Sequence, residues 1–384
     1  MKGRAIVSLA LGLAVILLAA GCAPTGAPTG GPSGSTAASG TVPVTGMFGI
    51  VRDWSESTHA VPVTFAAEET GCVLCHDGRA FVMGVTDPKS FNASEPFGPY
   101  VVATDCRACH TGAAVDLLRS GMVTTPSSPQ PIKAGLGALC IGCHRERTPA
   151  KIGQQPFFAP HPSVQAAVYL AYGGIRQPGV TYGSTVKHTQ VENMCVGCHM
   201  STDAGGVPTH TFLPPKDPRK ICGKCHQGIT TYNRKASGDY DGDGKVDGIQ
   251  DEVTGLLNKL SAAAAKEMGA DSLAQFQGRI VFKSGATTVT APIPDKVYQA
   301  AYNWALVTND KSLGVHNPKF TVTLLQQSYM TLTGAAVPNS KPFPGSTTAT
   351  SSGTPSGTAP ATGGATPGGA GTGTPNASGT TGTP

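Results

Sequence analysis

The chain has 384 residues and a formal net charge of +5, and only 13% of its residues are charged, while Gly (50) and Pro (31) are abundant. So small a surplus makes no case for a nucleic-acid partner, and none is expected. Beyond the first twenty residues no apolar run is long enough to span a bilayer, which excludes a multi-span membrane protein.

In chain order, Met1-Lys2-Gly3-Arg4 is a positive start, Ala5 to Ala20 is apolar, and Gly21-Cys22 follows. This is the layout of a secretory signal peptide over 1–21. Ala19-Ala20-Gly21-Cys22 resembles a bacterial lipobox, which implies a lipid on Cys22 and stable anchoring. Its departure is Ala19, where Leu is commoner. Ala23, rather than Asp, after the lipidated Cys implies sorting to the outer membrane of a two-membrane cell. Residues 22–46, rich in Ala, Thr, Gly, Pro and Ser, read as a flexible tether.

Residues 47–235 carry five copies of Cys-x-x-Cys-His: Cys72, Cys75 and His76; Cys106, Cys109 and His110; Cys140, Cys143 and His144; Cys195, Cys198 and His199; and Cys222, Cys225 and His226. Their starts lie 34, 34, 55 and 27 residues apart, an irregular spacing rather than a solenoid period. Each is an attachment signature for c-type haem. The two thiols bond to one porphyrin edge, and the next His lies under the iron as proximal ligand. Zinc explains the pattern poorly. Closed zinc sites use two Cys pairs, five pairs do not divide evenly, and the recurring His is left without a task. A disulfide framework would not place His at one offset five times. The motifs use ten of the eleven cysteines and predict five covalent haems c. Haem propionates add negative charge that the formal count omits.

Ten histidines occur, and five lie outside the motifs: His59, His161, His188, His210 and His316. One spare His per haem points to two imidazoles on every iron and to low reduction potentials. Met194 and Met200 flank the fourth motif too closely to swing to the far side of its haem. Four segments, Pro160-His161-Pro162, Lys187-His188-Thr189, Thr209-His210-Thr211-Phe212 and Gly314-Val315-His316-Asn317-Pro318, carry a resemblance over residues 160–332. They are similar to distal-ligand segments of bacterial multihaem cytochromes, including the pentahaem nitrite reductases and octahaem cytochromes. The nitrite reductases mark their open haem with Cys-x-x-Cys-Lys, and all five motifs here end in His. An apolar run follows His161 from Ala166 to Tyr172. An amphipathic stretch follows His316, with Phe320, Val322, Leu324, Leu325, Tyr329 and Met330.

Residues 236–340 open on an acidic loop. Asp239, Asp241 and Asp243 hold positions 1, 3 and 5 of an EF-hand-type loop, Gly244 holds position 6, Lys245 offers its carbonyl, and Asp247 holds position 9. Position 12 is Gln250, where Glu is usual, and Asp251 or Glu252 is the substitute. Calcium is expected there, pinning the helix 249–260 and, through it, His316. The alternative is a solvated acidic turn before a helix. Residues 341–384 are nearly all Gly, Thr, Pro, Ser and Ala and read as a disordered tail.

The expected fold is therefore mainly α, loop-rich and packed around haems, with little β structure, and the haem-free chain is expected to be largely unfolded. The expected function is electron transfer to other redox proteins or extracellular acceptors, without chemistry of its own. A nitrite- or hydroxylamine-type reductase with one open haem, and a subunit of a haem filament or other homo-oligomer, stand as alternatives.

Overall fold

The computed structural model describes residues 44–90, 101–153, 157–183, 186–202 and 206–346. The signal peptide, Cys22 and all but the tail's first few residues lie outside them. The fold is mainly α with extensive loops and two small antiparallel sheets.

The motif half is a string of short helices. They are α1 (Val44–Ser55), α2 (Thr64–Ala67), α3 (Val73–His76), α4 (Gly78–Met83), α5 (Cys106–His110), α6 (Ala113–Ser120), α7 (Gly137–Cys143), α8 (Gln165–Tyr169), α9 (Val186–Thr189) and α10 (Cys195–His199). Most are far below the length at which a helix holds alone. Most of the Cys pairs lie inside these helices. Helices α5 and α10 each begin at the first Cys and end at the His. The reason is geometric, since residues three apart share one helix face and both sulfurs then point the same way. The fifth motif departs from this. Its Cys222–Lys224 stretch is a single 3-10 turn, and Cys225 lies just past its end. Asp77 and Asp105 start α4 and α5 by accepting backbone N–H groups, from Arg79 and Ala80 and from Arg107. A hairpin, β1 (Met122–Thr125) with β2 (Ser128–Lys133), packs on α7, and Val123, Ala138, Ile141, Ala166 and Met194 form a small core beneath it.

The C-terminal half is built differently. Helix α11 (Ile249–Glu267) runs past the expected 249–260, because Ala262 to Ala265 are the strongest helix formers and carry it on. It is followed by the sheet β3 (Ser272–Phe276), β4 (Arg279–Ser284) and β5 (Thr287–Thr288), in which Leu273 pairs with Phe282. Helices α12 (Asp295–Asp310) and α13 (Pro318–Thr333) pack on α11 and on each other. Asn317 caps α13, Pro318 supplies its first turn, and Gly334, at φ 79°, ends it. The stretch after His316 is not amphipathic. Residues 320–328 are buried without a break, because α13 is the central helix and has protein on every side. Leu256, Leu260, Phe282, Leu306, Phe320 and Leu324 make one apolar core, and Val164, Val168 and Ile175 of the motif half insert into it. Asn303 seals that junction by accepting from the Ile175 N–H at 2.8 Å and donating to the Ile175 carbonyl.

Candidate functional site

Each motif histidine faces one of the five spare histidines. His76 lies 6.0 Å from His161, ring centre to ring centre, and His110 lies 6.4 Å from His210. His144 lies 6.0 Å from His59, His199 lies 6.1 Å from His316, and His226 lies 6.3 Å from His188. No histidine is used twice in these pairings and none is left over. A first-row metal at ~2.0–2.1 Å from one nitrogen of each of two imidazoles sets their ring centres roughly 6 Å apart. Every pair has room for one metal, and the residues present fit a haem held from both faces.

Six of the ten rings have a partner on the other nitrogen, Nδ1. Nδ1 of His161 faces Ser163 Oγ at 2.8 Å and Nδ1 of His144 faces Gln165 Oε1 at 3.2 Å. Backbone carbonyls take the next two, Phe212 with His199 at 2.9 Å and Pro208 with His210 at 3.0 Å. His316 Nδ1 lies 2.7 Å from the Asp310 carboxylate. Such contacts leave Nε2 for a metal and hold the ring plane. Burial also favours the neutral form at His59, His76, His144, His161, His199 and His226. Burial, then His144, pushes His59 down to about 4. Burial, then Arg147 and the neighbouring His76 and His144, pushes His161 down to about 4. His316 is the exception. Burial pulls it down, but the Asp310 carboxylate outweighs that and holds it above the usual range.

Several Cys pairs lie close to one another. The Cys75 thiol lies beside that of Cys143, and Cys140 beside Cys195, so the first, third and fourth motifs are neighbours. Arg147 Nη1 donates to Cys75 Sγ at 3.2 Å and ties the first motif to the third. None of the ten motif cysteines is in a disulfide.

Protein side chains cover the ten motif thiols unequally. Cys72, Cys106 and Cys225 are exposed, whereas the other seven are half-buried. Cys72 and Cys106 open their motifs at helix starts, where the chain enters from a loop. Cys225 follows a 3-10 turn that has no buried residue, so protein side chains do not cover it. Its spacing still suits attachment, because residues three apart line up in a 3-10 turn as well. In the third and fourth motifs both thiols are half-buried, whereas the first, second and fifth each have one exposed.

The acidic loop gathers a smaller set than expected. Oxygens of Asp239, Asp241 and Glu252, all buried, lie within 4.8 Å of one another. Glu252 reaches back from α11, with Oε2 accepting from Tyr240 N–H at 2.7 Å and Oε1 from Asp247 N–H at 2.9 Å. Calcium takes oxygens at 2.3–2.6 Å, so three oxygens on one ion lie within roughly 5 Å, and this trio fits. The Asp243 and Asp247 carboxylates are not part of the trio. Asp243 Oδ1 accepts instead from the Lys245 N–H at 2.8 Å. Gln250 turns away, donating from Nε2 to the Ser312 carbonyl at 3.2 Å, and so joins the loop to the turn that bears His316. Gly255 is required here, because a Cβ at that position would fall on the Asp241 carboxylate.

Sequence reasoning missed Asp310, Ser163, Gln165 and Arg147. Asp310 lies six residues before His316, and no motif marks it; the others are ordinary loop and helix residues until the fold brings them to an imidazole or a thiol.

No family model matches this chain, and no curated protein does. A solved structure that aligns with it is the crystal structure of the outer cell wall cytochrome OcwA, at a TM-score of 0.44 and 18% identity, over 73% of this chain and 49% of that one. The chain thus spans about half of that protein's length. No helix among the described residues is long and apolar enough to cross a membrane.

Proposed function

We propose that the chain is an exported pentahaem c-type cytochrome that carries electrons through bis-histidine haems. The observation that supports this is the one-to-one pairing of five motif and five spare imidazoles at 6.0–6.4 Å. In this reading the ten motif cysteines hold the porphyrins, and His76, His110, His144, His199 and His226 are proximal ligands. Their distal partners are His161, His210, His59, His316 and His188 respectively. Bound haem supplies one-electron chemistry at low potential. The protein's part is to hold both imidazoles and pack the attachment points close enough for transfer between neighbours. The reductase alternative needs a motif histidine without a partner ring, and a filament with a shared ligand needs a spare histidine turned outward. All ten histidines are paired within the chain.

Mass spectrometry together with ferric absorption and electron paramagnetic resonance spectra tests the reading. Five attached haems, all low-spin, are the expected result. A high-spin ferric component would return the reductase to the front. We further propose calcium at Asp239, Asp241 and Glu252, and a lipid on Cys22 that tethers the protein at the outer membrane. Metabolic labelling with a radioactive fatty acid, lost in Cys22→Ala, tests the anchor. The partners in this reading are redox proteins or external acceptors.

A further inference from the structure

Asp310 is an unusual place for a carboxylate. It is the last residue of α12, where the carbonyl ends of the helix already repel negative charge. Its side chain is 1% exposed, and burying a charge costs several kcal/mol unless it is well partnered. Its partners are Ser312 Oγ, on Oδ2, and His316 Nδ1, on Oδ1 at 2.7 Å. Among the described residues this is the one contact between a histidine and a carboxylate. The other occupied Nδ1 atoms face a hydroxyl, an amide or backbone carbonyls, all neutral. The turn is also wound tightly to bring the pair together. Lys311, Leu313 and Gly314 have φ of 62°, 48° and 91°, and the His316 N–H donates to Ser312 Oγ at 3.1 Å. Leu at positive φ is strained, and such strain persists only where the surroundings impose it. A residue set against helix dipole, burial and backbone preference together marks a functional arrangement.

We propose that Asp310 is a positioning residue for the fourth haem: it holds the Nδ1–H of His316, aims Nε2 at the His199 side, and gives the imidazole anionic character, making this the haem of lowest potential. The neutral partners on the other rings fix direction alone. A carboxylate adds a negative charge within one imidazole of the iron and favours the ferric state. This rests on the bis-histidine reading, and the test separates the two.

The holo-protein is compared with Asp310→Asn, His316→Ala and Ser312→Ala by optical redox titration and electron paramagnetic resonance. Asp310→Asn keeps the shape and removes the charge. One redox component should move to higher potential, by about tenfold or more in its reduction equilibrium for a unit charge at this range. One low-spin signal should move with it. Curves and spectra that superpose on wild type overturn the proposal. Should Asp310→Asn load fewer than five haems, Ser312→Ala decides. It strips a hydroxyl donor from the carboxylate and concentrates its charge on His316, so the same component must move down. No shift, or an upward one, overturns the proposal. His316→Ala tests the underlying assignment, because one haem must become high-spin. A wholly low-spin His316→Ala protein removes His316 as a ligand, and the proposal with it.

Discussion

At the scale of single residues, histidine partners follow space rather than sequence. His59 lies 13 residues before Cys72, yet its ring faces His144 of the third motif. His161 follows the third motif and faces His76 of the first. The number of spare imidazoles could be counted along the chain, but their assignment could not, because loops of this length allow many closures at similar entropic cost. Replacing His59 by Ala should turn one haem of the five high-spin and leave the others low-spin, as read by absorption near the charge-transfer bands. An unchanged spectrum would remove His59 from the ligand set. Asp77 makes a different contribution. Burial opposes its charge, but Arg79 and the Val102 and Arg79 N–H groups outweigh that and hold its carboxyl below the usual range. Its folded value lies below its unfolded one, so its stabilisation is present above about pH 4 and is lost as pH falls through the lower folded value. Asp77→Ala should cost about 1 kcal/mol at neutral pH, typical of a lost helix cap, and less under acid conditions, measured by denaturant melts.

At the scale of elements, α13 shows how a pattern can mislead. Its apolar residues at 320, 322, 324 and 325 leave Thr321, Thr323, Gln326 and Gln327 between them, which on a surface helix would be the wet face. Here the polar side is buried too, and Gln326 donates to the carbonyls of Tyr240 and Lys341, each at 2.8 Å. Thr321 Oγ1, Thr323 Oγ1 and Gln327 Oε1 are buried without a hydrogen-bond partner, and a buried polar residue reads in sequence like an exposed one. Leu324→Ala, deep in this core, should destabilise by about 2–5 kcal/mol. The acidic loop teaches the converse. The positions of Asp239 and Asp241 were legible, but the third carboxylate comes from Glu252 because α11 starts where it does. Glu252→Gln should weaken calcium binding at least about tenfold in calorimetric titration, since it removes one of three ligand charges. Equal affinity would assign calcium elsewhere.

At the scale of the whole molecule, the two halves have unequal cores, and in the pentahaem reading they would depend on haem unequally. The motif half has a small core under its hairpin, and its short helices need the porphyrins. The C-terminal half owns a continuous apolar core across α11, α12, α13 and the sheet. A haem-free chain should therefore keep a protease-resistant, helical C-terminal fragment while the motif half is cleaved. Complete digestion would show that both halves rely on the cofactor. Calcium should stabilise that fragment by about 2.7 kcal/mol at a hundredfold excess over Kd, and chelation should reverse it.

By itself the sequence determined the five Cys-x-x-Cys-His motifs, the number of imidazoles and the start of an acidic loop, because each is set by local spacing along the chain. Only the tertiary structure decided which histidine faces which, which thiols the protein half-buries and which, like Cys225, it leaves at the surface. It also decided that Glu252 closes the acidic cluster and that Asp310 stands behind His316. Those are meetings between residues far apart or across a strained turn, and they depend on how helices pack.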